Sequence, residues 1–163
     1  MNIRSMTPGD WQHVAEIYRQ GIATGVATFE TVVPEYDDWD SKHLTECRVV
    51  AEDQGKIMGW AALSPVSSRC VYEGVAEVSV YVGEAARGKG IGRLLLALLI
   101  RESESCGLWT LQSGIFPQNT ASIRVHEALG FRLIGKRERV AKLNGNWFDN
   151  LLFEKRSQTV GIE

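Results

Sequence analysis

Seven consecutive residues, Arg87-Gly88-Lys89-Gly90-Ile91-Gly92-Arg93, alternate glycines with cations and an isoleucine between two segments of different periodicity. Before them, Val75 to Val82 alternates as a strand does; after them, Leu94-Leu95-Leu96 opens an apolar helix. Glycine lets the backbone turn tightly and approach a ligand, and the first amides of a helix point outward without internal partners. The chemistry of such a turn is anion binding, and Arg87, Lys89 and Arg93 favour an anion with more than one negative charge, such as a diphosphate. The segment lacks the spacer and Gly-Lys-Ser/Thr ending of a P-loop, and the acidic residue and βαβ context of a dinucleotide fold. A glycine-rich helix entry with solvated cations is the plainer alternative.

Two side chains stand out for proton transfer. Glu77 shares one face of its strand with Ser79 and Tyr81, while Val78, Val80 and Val82 share the other. Its carboxylate can act as a base, or simply pair with a nearby cation. His126 can take or give a proton near neutral pH, or be a hydrogen-bonded core residue of an apolar helix face. Tyr81 reads as a packing residue. The three cysteines, Cys47, Cys70 and Cys106, are scattered and form no CxxC pair or His partnership, so they read as free thiols in a reducing compartment, with no metal site.

The elements that must position these groups alternate along the chain. A strand at Asn2 to Met6 precedes a helix start in which Thr7 caps, Pro8 takes the first position and Asp10 follows. Trp11, Val14, Ile17, Tyr18 and Ile22 give that helix a buried face; Gly21, Gly25 and Pro34 break the pattern and leave Thr24 to Glu35 an irregular loop. A second helix follows Asp37. Strands at Arg48 to Glu52 and Lys56 to Ser64 form a hairpin through Asp53-Gln54-Gly55, and the Glu77 strand comes next. A helix from Gly90 to Ser105, a strand from Trp109 to Ile115 and a helix from Asn119 to Leu129 lead to a last hairpin, Arg132 to Lys142 and Trp147 to Glu154, around Asn144-Gly145.

The 163 residues suit one domain over residues 1–156, with Ser157 to Glu163 too polar and featureless to pack. A net charge of −2 and a pI near 6.0 offer no basic surface for nucleic acid. The amino terminus lacks the apolar core of a secretory signal, and the longest apolar run, Leu94 to Ile100, is too short to span a bilayer; a cytoplasmic protein without membrane partners is expected.

Arg87, Gly90 and Gly92 fill the Arg/Gln-x-x-Gly-x-Gly/Ala signature, and this stretch resembles motif A of the GNAT acetyltransferase superfamily. Pro117 to Phe131 resembles motif B of that superfamily. Within it, Val125-His126-Glu127-Ala128-Leu129-Gly130-Phe131 carries histidine where many members have tyrosine, as in the phosphinothricin/methionine sulfoximine acetyltransferase branch. Val75 to Val82 and Asn146-Trp147-Phe148-Asp149 are similar to the same branch. The resemblance implies an α/β fold of α+β type: a mixed, mostly antiparallel sheet of six to seven strands, splayed near Val82 at the cofactor site and flanked by about four helices. It implies acetyl-CoA as co-substrate, with no metal. Its pyrophosphate would lie on the amides from Gly88 through Lys89, Gly90, Ile91 and Gly92 to Arg93, aided by Arg87. Its pantetheine arm would pair with Val80, Tyr81 and Val82 and touch Asn119 and Ser122.

Amide formation needs a neutral amine, stabilisation of an oxyanion and a proton for the departing thiolate. Glu77 is the candidate base, acting through water, with a backbone amide near Val80 for the oxyanion; the branch implies a catalytic role for His126, acid or base. No cysteine lies in either motif, so direct transfer in a ternary complex is expected. The resemblance points to a small amino-acid acceptor of phosphinothricin or methionine sulfoximine type, with Arg69, Tyr72, Phe29 and Glu30 as substrate candidates. A peptide amino terminus, a polyamine, or a non-catalytic acyl-CoA sensor are the alternatives. Relatives commonly dimerise, and the carboxyl-terminal strands could supply the interface of a homodimer.

Overall fold

The computed structural model describes residues 1–163. Seven strands form one sheet in the order β1-β2-β3-β4-β5-β7-β6: β1 Asn2–Ser5, β2 Val49–Asp53, β3 Lys56–Pro65, β4 Val75–Val82, β5 Thr110–Ile115, β6 Arg132–Leu143 and β7 Asn146–Arg156. Four helices flank it: α1 Trp11–Ala23, α2 Tyr36–Lys42, α3 Ile91–Ser105 and α4 Thr120–Ala128. Every neighbouring pair is antiparallel except β4 with β5.

Strand alternation feeds two cores. Val49 and Ala51 of β2 and Ala61 and Leu63 of β3 pack on the face that receives Ile91, Leu95, Leu96 and Leu99 of α3. Val50, Trp60 and Ala62 point the other way, against Val14, Ile17 and Tyr18 of α1 and Trp39 of α2. Trp60 is wholly buried at the centre of this second core and stacks on Tyr81 of β4 at 4.9 Å between centroids.

The glycine expected to interrupt α1 lies inside it. Gly21 is buried, and a Cβ placed there would stand 2.6 Å from Cδ1 of Tyr81, so the missing side chain admits the Tyr81 ring against the helix. Entry to α1 follows the expected capping box, but its first turn is a separate 3-10 turn, Pro8–Asp10, in which the Asp10 carboxylate accepts from the Thr7 amide at 2.8 Å and pairs with Arg4. Arg4 holds the Asp10 carboxyl down at about 2.

The tail departs from expectation at its start. Ser157 is buried, its amide donates to the Trp109 carbonyl at 2.8 Å and its hydroxyl donates to Glu104 at 2.8 Å. Arg156 then donates to the carbonyls of Val160 and Gly161, so backbone acceptors, invisible as sequence pattern, hold a segment with no apolar periodicity.

The sheet opens earlier than expected. β4 pairs with β5 only from Val75 to Glu77, opposite Thr110 to Gln112, while it follows β3 all the way from Ala76 to Val82. From Val78 onward the β5-facing edge of β4 is unpaired because β5 turns away to follow β7 through Ile115. The splay therefore begins just after Glu77.

Candidate active site

The opening between β4 and β5 contains two cavities that share a wall. One, of about 380 Å³, lies over the start of α3 and is lined by Val80, Tyr81, Val82, Arg87, Gly88, Gly90, Ile91, Gly92 and Arg93. Gly88 and Gly90 adopt φ values of +76° and +79°, which side-chain-bearing residues rarely hold. Gly90 is the N-cap of α3 without a side-chain cap, and the first helical bond runs from the Leu94 amide to the Gly90 carbonyl at 3.2 Å. The amides of Ile91, Gly92 and Arg93 are thus left for an anion, which the positive end of a four-turn helix favours. Such a cradle fits a pyrophosphate. Arg87 supports the turn, its Nε donating to the Val82 carbonyl at 3.3 Å. Lys89 does not line the cavity; its Nζ folds back on the Ala85 carbonyl at 3.1 Å.

The second cavity, of about 520 Å³, contains Glu77, Phe29, Glu30, Gln112, Asn150 and Arg137 in its wall. Glu77 stays reachable by solvent, yet desolvation by the surrounding walls raises its carboxyl pKa, against the opposing effects of the Arg137 charge and the Gln112 amide. Phe29 is fixed by Phe116 at 4.6 Å between centroids. Arg69 and Tyr72 are not in the lining: they sit on the exposed loop before β4, where the Arg69 guanidinium lies 5.6 Å from the Tyr72 ring. Their expected place in the substrate pocket is not where this fold puts them: both are exposed on the loop before β4, and neither lines the cavity.

Val80, Tyr81, Asn119, Ser122 and His126 belong to both cavities and mark the junction. Asn119 caps α4 by accepting from the Ser122 amide at 3.3 Å, which sets the helix start beside the opening. One turn on, His126 is 3% exposed, its Nδ1 lies 2.7 Å from the Ser122 carbonyl, and its Nε2 is buried with no partner. Only a protonated Nδ1 can satisfy that carbonyl, so the neutral ring presents Nε2 as an acceptor. Burial lowers its pKa and keeps it neutral. Tyr81 lines both cavities, while its ring stacks between Tyr18 and Trp60, consistent with packing.

Glu77 and Val80 are three residues apart on β4, roughly 10 Å along a strand. A proton leaving an amine held near Val80 reaches Glu77 through water, whereas His126 already stands at the junction. Gln112, Arg137 and Asn150 were not legible as site residues: the parallel register that sets Gln112 beside Glu77, and the antiparallel one that sets Arg137 opposite Asn150, are tertiary facts. No group of three or more His, Cys, Asp or Glu side chains is placed to hold a metal ion, and no helix is long and apolar enough to cross a membrane.

The chain is similar to known proteins in sequence and in fold. The model of the Acetyltransferase (GNAT) family matches residues 11–131. An L-methionine sulfoximine/L-methionine sulfone acetyltransferase from Salmonella typhimurium is 33% identical over 154 residues, covering 91% of this chain and 90% of the relative. The crystal structure of a GNAT superfamily phosphinothricin acetyltransferase from Sinorhizobium meliloti in complex with acetyl-CoA superposes with a TM-score of 0.86 at 30% identity, covering 99% of this chain and 95% of that one. A ribosomal-protein-alanine N-acetyltransferase from Brucella melitensis superposes at 0.87 with 30% identity, covering 96% and 100%.

Proposed function

Because this chain belongs to the GNAT acetyltransferase family, we propose that it moves the acetyl group of acetyl-CoA to the α-amino group of a small amino acid of methionine sulfone or phosphinothricin type, by direct attack in a ternary complex. The observation that carries this reading is the junction at Val80 and His126, where a cavity ending in a glycine-rich helix start meets one that contains the Glu77 carboxylate. Acetyl-CoA, when bound, supplies the thioester; the chain supplies placement and proton transfer.

In this reading Gly88 and the free amides at the start of α3 hold the diphosphate, and the open edge of β4 from Val80 to Val82 takes the pantetheine arm as an added strand. Glu77 draws the ammonium proton through water, and its raised pKa makes it a stronger base than an ordinary carboxylate. His126 accepts at Nε2 the hydrogen bond of the incoming amine. As the N–C bond forms and the thioester C–S bond breaks, the amine's second proton passes to the departing thiolate, so coenzyme A leaves as the free thiol. A strand amide near Val80 faces the developing negative charge.

A peptide amino terminus is a second acceptor, favoured by the likeness to the Brucella melitensis ribosomal-protein-alanine N-acetyltransferase. Thiol release from acetyl-CoA with phosphinothricin, methionine sulfoximine, methionine sulfone, spermidine and a Ser-Ala peptide separates the readings. Turnover with the first three supports the amino-acid acceptor; turnover with peptide or spermidine alone overturns it. Acetyl-CoA binding without any turnover leaves a sensor.

The homodimer belongs to the same proposal. β6 is an edge strand, and Leu133, Ile134 and Val140 on it, with Trp147 on β7, are exposed apolar side chains that a second copy would cover. Light scattering of the wild type and of Ile134→Asp tests it: a dimer lost in the variant supports the pairing, and a monomeric wild type overturns it. A cytoplasmic location fits the unlinked thiols of Cys47, Cys70 and Cys106.

A further inference from the structure

We propose that Arg137 anchors the acceptor's α-carboxylate and so makes this enzyme select free amino acids over amines that lack an adjacent carboxylate. The inference rests on the amino-acid reading above. Arg69 is the only arginine among the substrate candidates read from the sequence, and it lies outside the cavity against Tyr72.

Arg137 sits on β6 directly opposite Asn150 of β7, just before the bulge that separates it from Ala141. Directly opposed residues of an antiparallel pair share a face. Asn150 is buried, lines the cavity and packs over Gly114, where a Cβ would meet its Oδ1 at 2.7 Å, so the shared face is the cavity face. Arg137 makes no ion pair, whereas Arg4, Arg19, Arg48 and Arg132 each hold a carboxylate. Its charge is nonetheless felt at Glu77, whose pKa it lowers.

That placement matches the ligand. In an α-amino acid one carbon separates the ammonium from the carboxylate, so the group that holds the carboxylate must line the same cavity as the base that draws the ammonium proton through water, as Arg137 and Glu77 do. Lys42 also lines the cavity, but Arg137 is the cation that acts on Glu77. A guanidinium fork fits a carboxylate through two parallel N–H donors, which an ammonium cannot do. A zwitterion with its ammonium toward Glu77 and its carboxylate on Arg137 satisfies both charges at once.

The test compares methionine sulfone with its primary amide in the wild type, Arg137→Met, Arg137→Lys and Arg69→Met, with acetyl-CoA binding measured in parallel. Expected is a wild type that prefers the acid, and an R137M enzyme whose kcat/KM falls by roughly 30- to 100-fold on the acid and less than about threefold on the amide. R137K should fall between, and R69M should keep the wild-type ratio. An equal loss on acid and amide would make Arg137 a tuner of Glu77 or a fold element and overturn the proposal, as would an unchanged ratio in R137M or a ratio that collapses in R69M. Wild-type enzyme that acetylates none of the amino acids overturns the amino-acid reading itself, and the anchor with it.

Discussion

Nδ1 of His126 lies 2.7 Å from the carbonyl oxygen of Ser122, one turn earlier in the same helix, and this single contact fixes which nitrogen of the ring is free. Nε2 is left as a buried acceptor at the meeting point of the two cavities. Replacing His126 with alanine should lower kcat by about 100-fold while acetyl-CoA binding, measured by calorimetry, holds. Stability supplies an independent check. The folded pKa lies below the ordinary 6.5, so the unfolded chain takes up the proton first. The contribution is fully present above 6.5 and is lost as pH falls through the lowered folded value. The melting temperature should therefore drop with acidification below 6.5, and less steeply in His126→Gln; His43, half-buried with a lowered pKa, contributes a second part of the slope.

Glu77 carries the opposite shift. Its carboxyl is raised above the ordinary 4.5, chiefly by desolvation, so the base form is reached at higher pH than for an exposed glutamate. The rate at saturating acetyl-CoA should rise with pH through a limb displaced upward from that of an exposed glutamate. Glu77→Gln should lose about 100- to 1,000-fold in kcat/KM and lose that limb with it, whereas His126→Ala should be slow but keep it. A limb that survives in Glu77→Gln would assign it to another group.

How far the sequence reaches can be seen in four places. The cradle was legible because its signal is local: glycines, cations and a helix start occupy consecutive positions, and Gly88, Gly90, Ile91 and Gly92 all line the cavity. His126 was legible as a residue but not as a role, since its tautomer depends on a carbonyl that any residue at position 122 would supply. Arg69 and Arg137 could not be told apart as anion anchors, because only the β6–β7 register and the unpaired stretch of β4 decide which arginine meets the opening. Lys89 shows the limit of local charge counting: it stands in the motif and donates to Ala85 instead.

Gly21 is a packing glycine in a helix, which ordinarily invites stabilisation by alanine. Alanine gains about 1 kcal/mol of helix propensity, but here its Cβ would fall 2.6 Å from Tyr81 Cδ1 and 2.8 Å from Cε1. Tyr81 cannot yield easily, because its ring is stacked against Trp60 and Tyr18, both buried. Overpacking of this kind costs typically about 1–3 kcal/mol, so Gly21→Ala should be less stable than the wild type by urea melts, in contrast to the usual gain at an exposed helical glycine. Tyr81 lines both cavities, so a shift of this strand should also raise KM for acetyl-CoA.

Gly90 offers the sharpest separation of cofactor binding from catalysis. It caps α3 at a φ of +79°, and a Cβ added there would find nothing within 4 Å, so alanine meets no clash and bears only the cost of the backbone conformation. That cost is about 1–2 kcal/mol for an L-residue in the left-handed region. Two relaxations are open to the chain. If the φ is kept, Gly90→Ala loses a few degrees of melting temperature and binds acetyl-CoA nearly as well. If the turn flips to relieve the strain, the amides of Ile91, Gly92 and Arg93 no longer converge, and affinity for acetyl-CoA should fall by about tenfold or more while the apoprotein regains stability. The flip is the expected outcome, because nothing else caps the helix and the strain is borne by one residue. Calorimetric titration with acetyl-CoA alongside a thermal melt distinguishes the two, and a variant with wild-type affinity and wild-type stability would show that the cradle does not depend on the left-handed turn at Gly90.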